Sequence, residues 1–206
     1  MPRPRDPSVR SLLLERAAAM LRTREPVTLR ALVAGTQVST MAVYTHFGSM
    51  DGLWRALRQE GFTLLAARLR DVTTTTDPVR DLAALTAAYV DHAVAHPDLY
   101  RVMFDPSAEL EDLQAADGTL ERFVQAVSRA RAAGRLDAET DPLELATRVW
   151  ASGHGPVSLV VNGPLPHEAL AHVPQVLIAL LVSAGDERSV CAASVGRGWR
   201  RAAAGG

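Results

Sequence analysis

Apolar residues along this chain return every three or four positions, and no stretch alternates as a half-buried strand would. Val9, Leu13, Ala17, Met20 and Leu21 predict an amphipathic helix over about 8–23. Glu25-Pro26 closes it, because proline drives the residue before it out of helical geometry. Thr28 opens a short second helix through Leu29, Leu32 and Val33, and Ser39 opens a third with Val43 and Phe47 on its inner face. Gly48 stops that helix, and Ser49 caps a long fourth one striped by Leu53, Leu57, Gly61 and Leu64. The run from Val72 through four threonines to Asp77-Pro78 is poor helix material and predicts a domain joint. Further helical windows follow near 79–96, 98–105, 108–133, 142–162 and 166–184, parted by proline and glycine breaks. From Gly185 the chain is rich in Gly, Ala, Ser and Arg, so 185–206 is expected to be a flexible tail. The pattern predicts an all-α chain, with a head domain over 1–70, its fourth helix a long link, and a second helical domain over 79–184.

Two short helices parted by about four residues around Gly35–Val38 have the shape of a helix-turn-helix. On the second of them Ser39, Thr40, Met41, Tyr44 and Thr45 face outward, while Ala42, Val43 and Phe47 face inward. Such a helix fits a DNA major groove. Charge agrees with this reading. The 206 residues carry a formal charge of −1, with one cysteine and no lysine. Residues 1–70 hold 11 arginines against 5 acids, net +6, and residues 71–206 hold 11 against 18, net −7. A basic head on an acidic body suits an encounter with a polyanion.

Residues 8–65 resemble the DNA-binding domain of the tetracycline-repressor (TetR) family of transcriptional regulators. The resemblance rests on Leu12–Leu21, on Thr28, on Val38-Ser39, and on Tyr44-Thr45-His46-Phe47 followed by Gly48-Ser49-Met50-Asp51-Gly52-Leu53. Trp150-Ala-Ser-Gly-His154-Gly155 also resembles a Trp–His-Gly element of one TetR subgroup. The resemblance implies that Thr28, Tyr44 and His46 contact phosphates, with Arg30 and Ser39 beside them, and that Thr40, Met41 and Thr45 face bases. Arg3, Arg5 and Arg10 would trail along phosphates or enter a minor groove. The competing reading for Tyr44 and Met41 is packing between helices, and for His46 an ordinary surface histidine. Two departures from the family stand out: Thr36-Gln37 replaces its Ala-Gly, so the turn is expected to borrow Gly35, and Met50 replaces a phosphate-reaching lysine, leaving Arg55 or Arg58 as substitutes.

The resemblance further implies a homodimer joined by a four-helix bundle from windows 142–162 and 166–184 of each chain. Leu170, Val173, Leu177, Leu180 and Leu181 make an apolar stripe that suits either that interface or the interior. Tyr89, Tyr100, Met103, Phe104, Phe123, Trp150, His154 and Leu159 are candidate effector-lining residues, each with ordinary core as its alternative. The whole reading is a ligand-responsive repressor binding a palindromic operator through two heads about 34 Å apart.

Other chemistry is weaker. His92 and His96 are four apart but lack a matched acid or cysteine, so no metal and no cofactor are expected. Ser152 and Ser158 lie near His154 without a nucleophile elbow, which argues against an enzyme. The longest apolar run, Val176–Val182, falls far short of the roughly 20 residues that cross a bilayer, and the N-terminus has no signal-like pattern. A cytoplasmic protein is expected. A small helical enzyme or a protein-interaction module that keeps the helix-turn-helix as scaffold are the alternatives.

Overall fold

The computed structural model describes residues 6–105 and 114–203; Arg3, Arg5 and the first residues of the 108–133 window lie outside them. Among the described residues there are ten α-helices and one 3-10 turn, with no strand. The chain forms two compact units, Met1–Thr63 with His96–Leu113, and Leu64–Ala95 with Gln114–Gly206.

In the first unit α1 (Pro7–Arg22) starts where the Asp6 carboxylate accepts from the Ser8 amide at 2.9 Å, with Pro7 in the first turn, where no donor is missed. It ends in paired backbone bonds, Glu25 N to Met20 O and Arg24 N to Leu21 O, which need a left-handed residue between them. Arg24 takes that conformation at φ 57°, where glycine would be unstrained. Short α2 (Leu29–Val33) is capped by the Thr28 hydroxyl, which accepts from Ala31 N at 3.3 Å. Then come α3 (Thr40–Phe47), ended by Gly48, and α4 (Met50–Arg70), where Ser49 Oγ accepts from Gly52 N at 3.0 Å. Leu13, Leu14, Ala17, Leu32, Val43, Leu53 and Leu57 close one core among these helices. Helix α6 (Pro97–Met103) belongs to this unit and contacts α1. Arg58 Nε on α4 donates to Met103 O at 2.8 Å, and Phe104 stands edge-on to Phe62.

The second unit is built around α5 (Pro78–Ala95), of which 13 of 18 residues are buried. Helices α7 (Gln114–Ala132) and α8 (Pro142–Val161) pack against it. A 3-10 turn (His167–His172) then leads into α9 (Val173–Ser183). The threonine run, expected to be a joint, is tied into this unit. Thr75 donates to the buried Asp81 carboxylate through its amide at 2.9 Å and its hydroxyl at 2.7 Å. The division between units falls inside α4, after Thr63, and not at the threonines.

The expectation of a flexible tail is overturned by α10 (Arg188–Ala203), which lies along α5. Small residues are what close helix contact demands. A Cβ on Gly198 would fall 2.2 Å from the Arg80 carbonyl oxygen, so only glycine allows this approach. Cys191, Ser194 and Val195 are buried beside it. Asp186, its side chain only 1% exposed, accepts from Arg135 Nε at 2.7 Å and Nη2 at 2.8 Å, while Arg135 and Arg197 share Asp77. Burial and the neighbouring Asp186 push the Cys191 thiol up to about 12, so it stays protonated at neutral pH.

Candidate nucleic-acid interface

Val43 and Phe47 are buried, one helical turn apart, and set the roll of α3 about its axis. That roll leaves Met41 67% and Tyr44 47% exposed, with Thr40 and Thr45 exposed beside them. Thr45 donates its hydroxyl to Met41 O at 3.0 Å, leaving its oxygen as an acceptor. Ser39 stands at the N-cap but makes no capping bond with its side chain, contrary to the sequence expectation; its exposed hydroxyl is not used to start the helix. His46 is half-buried, its ring 6.4 Å from that of Phe47. Thr28 and Arg30 are exposed on the preceding segment, and the Thr28 hydroxyl accepts its cap bond with its own proton still available.

The turn between the helices shows how the chain accommodates Thr36-Gln37. Gly35 takes the left-handed position at φ 71°, as expected. Thr36 then closes the turn: its hydroxyl donates to Val33 O at 2.8 Å and accepts from Val38 N at 3.1 Å. Met50 packs against the core of the head. Of the two proposed substitutes for a lysine there, Arg58 is engaged by Met103 O, while Arg55 is exposed. Arg10 lies over the Phe47 ring at 5.6 Å.

Arg16 was missed by the sequence reading. From α1 its guanidinium donates to Leu32 O at 2.7 Å, Ala31 O at 3.2 Å and Ala34 O at 2.7 Å. A five-residue helix has almost no internal partners for its last carbonyls, and Arg16 supplies them. The available signal was that shortness, not the arginine itself.

The candidate effector residues separate. Tyr100, Met103 and Phe104 belong to the first unit, with the Tyr100 and Phe104 rings 4.8 Å apart. Tyr89, Phe123, Trp150 and His154 belong to the second. There Tyr89 OH lies 2.8 Å from His154 Nδ1, and the Trp150 ring lies 5.1 Å from that of His154. Burial lowers the pKa of His154, which keeps the imidazole neutral at pH 7. Phe123 is buried in the core, and Leu159 is 47% exposed. A groove of about 400 Å³ in this unit is bordered by Val72, Thr73, Leu85, Arg122 and Arg129, none of them expected from sequence.

The stripe offered for a dimer interface is mostly interior. Leu170, Val173, Leu177 and Leu181 are buried within the second unit and Leu180 is half-buried, because the 3-10 turn and α9 pack on α8 and α9 packs on α10. The large apolar side chains that α8 and α9 leave exposed are Leu143, Leu159 and Val176. Ser152 donates to Val149 O at 2.7 Å within its own helix. Among the described residues no three metal-binding side chains cluster, and no helix is long and apolar enough to cross a membrane.

Comparison with known proteins gives these elements a family. Residues 82–188 match the tetracyclin repressor-like, C-terminal domain family. Comparison with curated protein sequences found no match. The fold is similar to a Rhodococcus sp. RHA1 protein of unknown function, at 27% identity and TM-score 0.74, covering 86% of this chain and 96% of that one. It is also similar to a tetR-family regulatory protein of Rhodococcus RHA1, at 17% identity and TM-score 0.67 over 87% and 98% of the two chains. SmeT, the repressor of the Stenotrophomonas maltophilia multidrug efflux pump SmeDEF, is similar at 22% identity and TM-score 0.65 over 84% and 89%. With a matched C-terminal domain over half its length and a helix-turn-helix ahead of it, the chain belongs to the TetR family of transcriptional regulators.

Proposed function

We propose that this protein is a cytoplasmic, homodimeric DNA-binding repressor whose affinity for a palindromic operator is altered by a small molecule bound in its second unit. The observation that carries the reading is the exposed face of α3, where Thr40, Met41, Tyr44 and Thr45 stand in solvent above the buried pair Val43 and Phe47. A folded chain has no packing use for an aromatic and a methionine held outward together, whereas a major groove accepts both. Thr28, Arg30, Ser39 and His46 flank that face and, with the Tyr44 hydroxyl, suit phosphate contact. The exposed Leu143, Leu159 and Val176 of α8 and α9 are the side chains proposed for the dimer contact, in place of the buried stripe.

Tyr89, Trp150 and His154 are the proposed effector-sensing group, because a neutral imidazole bonded to a phenol beside an indole offers both polar and aromatic contact. Coupling of about 1–3 kcal/mol between effector and operator would suffice for regulation. The test is retardation of DNA upstream of its own gene by the purified protein. Tyr44→Ala is expected to keep the melting temperature and lose retardation. Retardation by the variant equal to that of the parent would remove α3 from the interface, and a monomeric mass in solution would remove the palindromic operator.

A further inference from the structure

Each base presents its own chemistry in the major groove. Guanine takes arginine or lysine on two acceptors, adenine takes asparagine or glutamine, cytosine donates to a carboxylate, and thymine alone of the four carries a C5 methyl group. Helix α3 reads Thr40-Met41-Ala42-Val43-Tyr44-Thr45-His46-Phe47, with no arginine, lysine, amide or carboxylate side chain. The arginine, lysine, amide and carboxylate partners that single out guanine, adenine and cytosine are therefore missing from this helix, whose threonine hydroxyls can serve any base.

What it offers is Met41, at 67% the most exposed large hydrophobic side chain among the described residues. Met41 is the second residue of α3, in the N-terminal turn that recognition helices direct at base edges. It has no share in the packing of the head, whose core is closed without it. The thioether is long, unbranched and polarisable, suited to covering a methyl group and unsuited to donating a hydrogen bond. Thr45, one turn on, directs its hydroxyl proton to Met41 O, so it adds no donor of its own at that point.

We propose that Met41 determines operator specificity by apolar contact with the C5 methyl group of a pyrimidine, so that each half-site carries a thymine at the position facing it. The inference rests on the DNA-binding reading above and names the base chemistry that the reading leaves open. A C5 methyl occurs on thymine and on 5-methylcytosine, and the experiment separates the two.

The full-length protein is used to select duplexes from a random-sequence pool, and each thymine of the preferred half-site is then replaced singly by deoxyuridine, which removes only the methyl. At one position per half-site, affinity is expected to fall roughly three- to tenfold, the effect of uncovering one methyl group. With Met41→Ala that step is expected to shrink below about twofold, and with Met41→Leu to persist. Deoxycytidine and 5-methyldeoxycytidine at the same position give the second arm. The methylated base is expected to bind more tightly than the plain one, and thymine more tightly than either if its O4 is also read. Indifference to deoxyuridine at every position overturns the proposal, as does a penalty unchanged in Met41→Ala or no gain from methylating cytosine. If the protein selects no duplex at all, the DNA-binding reading itself has failed; selection without methyl dependence overturns this inference alone.

Discussion

In the second unit α5 runs through the interior with 13 of its 18 residues buried, whereas in the first unit α3 buries only Val43 and Phe47 and holds Met41 and Tyr44 in solvent. The two regions are kept in shape by different means. Around α5 the dominant contribution is apolar area removed from water, reinforced by the bond of the buried Asp186 with the partly buried Arg135. In the head, α2 and α3 are 5 and 8 residues long, too short for apolar area to hold them alone. Hydrogen bonds at helix ends take over there: Thr28, Thr36 and Ser49 close turns, and Arg16 gathers three carbonyls. A surface that must stay open to a partner cannot also be buried. Its rigidity has to come from polar contacts behind it.

That contrast can be broken first in the second unit. Asp186→Ala leaves Arg135 with its best partner gone in a largely covered site, and about 3 kcal/mol of stability is expected to be lost. Urea unfolding measures it, and a loss under about 1 kcal/mol would mean that the pair contributes no more than a surface one. The corresponding change in the head is Arg16→Ala, expected to cost about 2 kcal/mol through three charge-assisted bonds. Amide exchange should quicken in α2 and α3 more than in α5. Equal protection in variant and parent would show that the short helices hold without it.

Smaller effects sharpen the comparison. Arg24→Gly relieves a left-handed arginine and is expected to raise stability by about 1 kcal/mol, read as a higher melting temperature. No rise would mean that glycine's greater freedom in the unfolded chain offsets the relief. The smallest expected effect is a pH slope. Burial lowers the pKa of His154 in the folded protein, so the unfolded chain binds its proton first as pH falls. The stability this represents is complete above the unfolded value of about 6.5 and declines as pH drops below it toward the folded value. His154→Gln should flatten the slope between pH 7.5 and 5.5, and an unchanged slope would assign it to other groups.

Much of the head was legible because its determinants are local. Glu25-Pro26, Thr28, Gly48 and Ser49 act within a few residues, and each helix boundary they implied lies where it was expected. Gly35 as the left-handed turn residue was legible for the same reason. Arg16 was not, since its partners lie 15 to 18 residues away along the chain. The C-terminal segment misled because Gly, Ala and Ser describe a loose tail and a tightly packed helix equally well; Gly198 against the Arg80 carbonyl decides for the helix.

The apolar stripe from Leu170 to Leu181 states the limit most clearly. Periodicity marks which side chains of a helix share a face, and on α9 Val173, Leu177 and Leu181 do share a buried one, while Leu170 lies on the preceding 3-10 turn and Leu180 is half-buried. Whether that face meets its own chain or another molecule depends on which helices fold back over it, and α8 and α10 do so. The sequence by itself determined the helical segments up to α9, most of their ends, the basic head and the family resemblance, all set by neighbours within a turn or two or by simple composition. Tertiary structure alone decided which apolar faces were covered, which arginine braced the turn and how far Met41 stood out into solvent, because burial is a property of pairs of surfaces and one helix carries the pattern for only half of each pair.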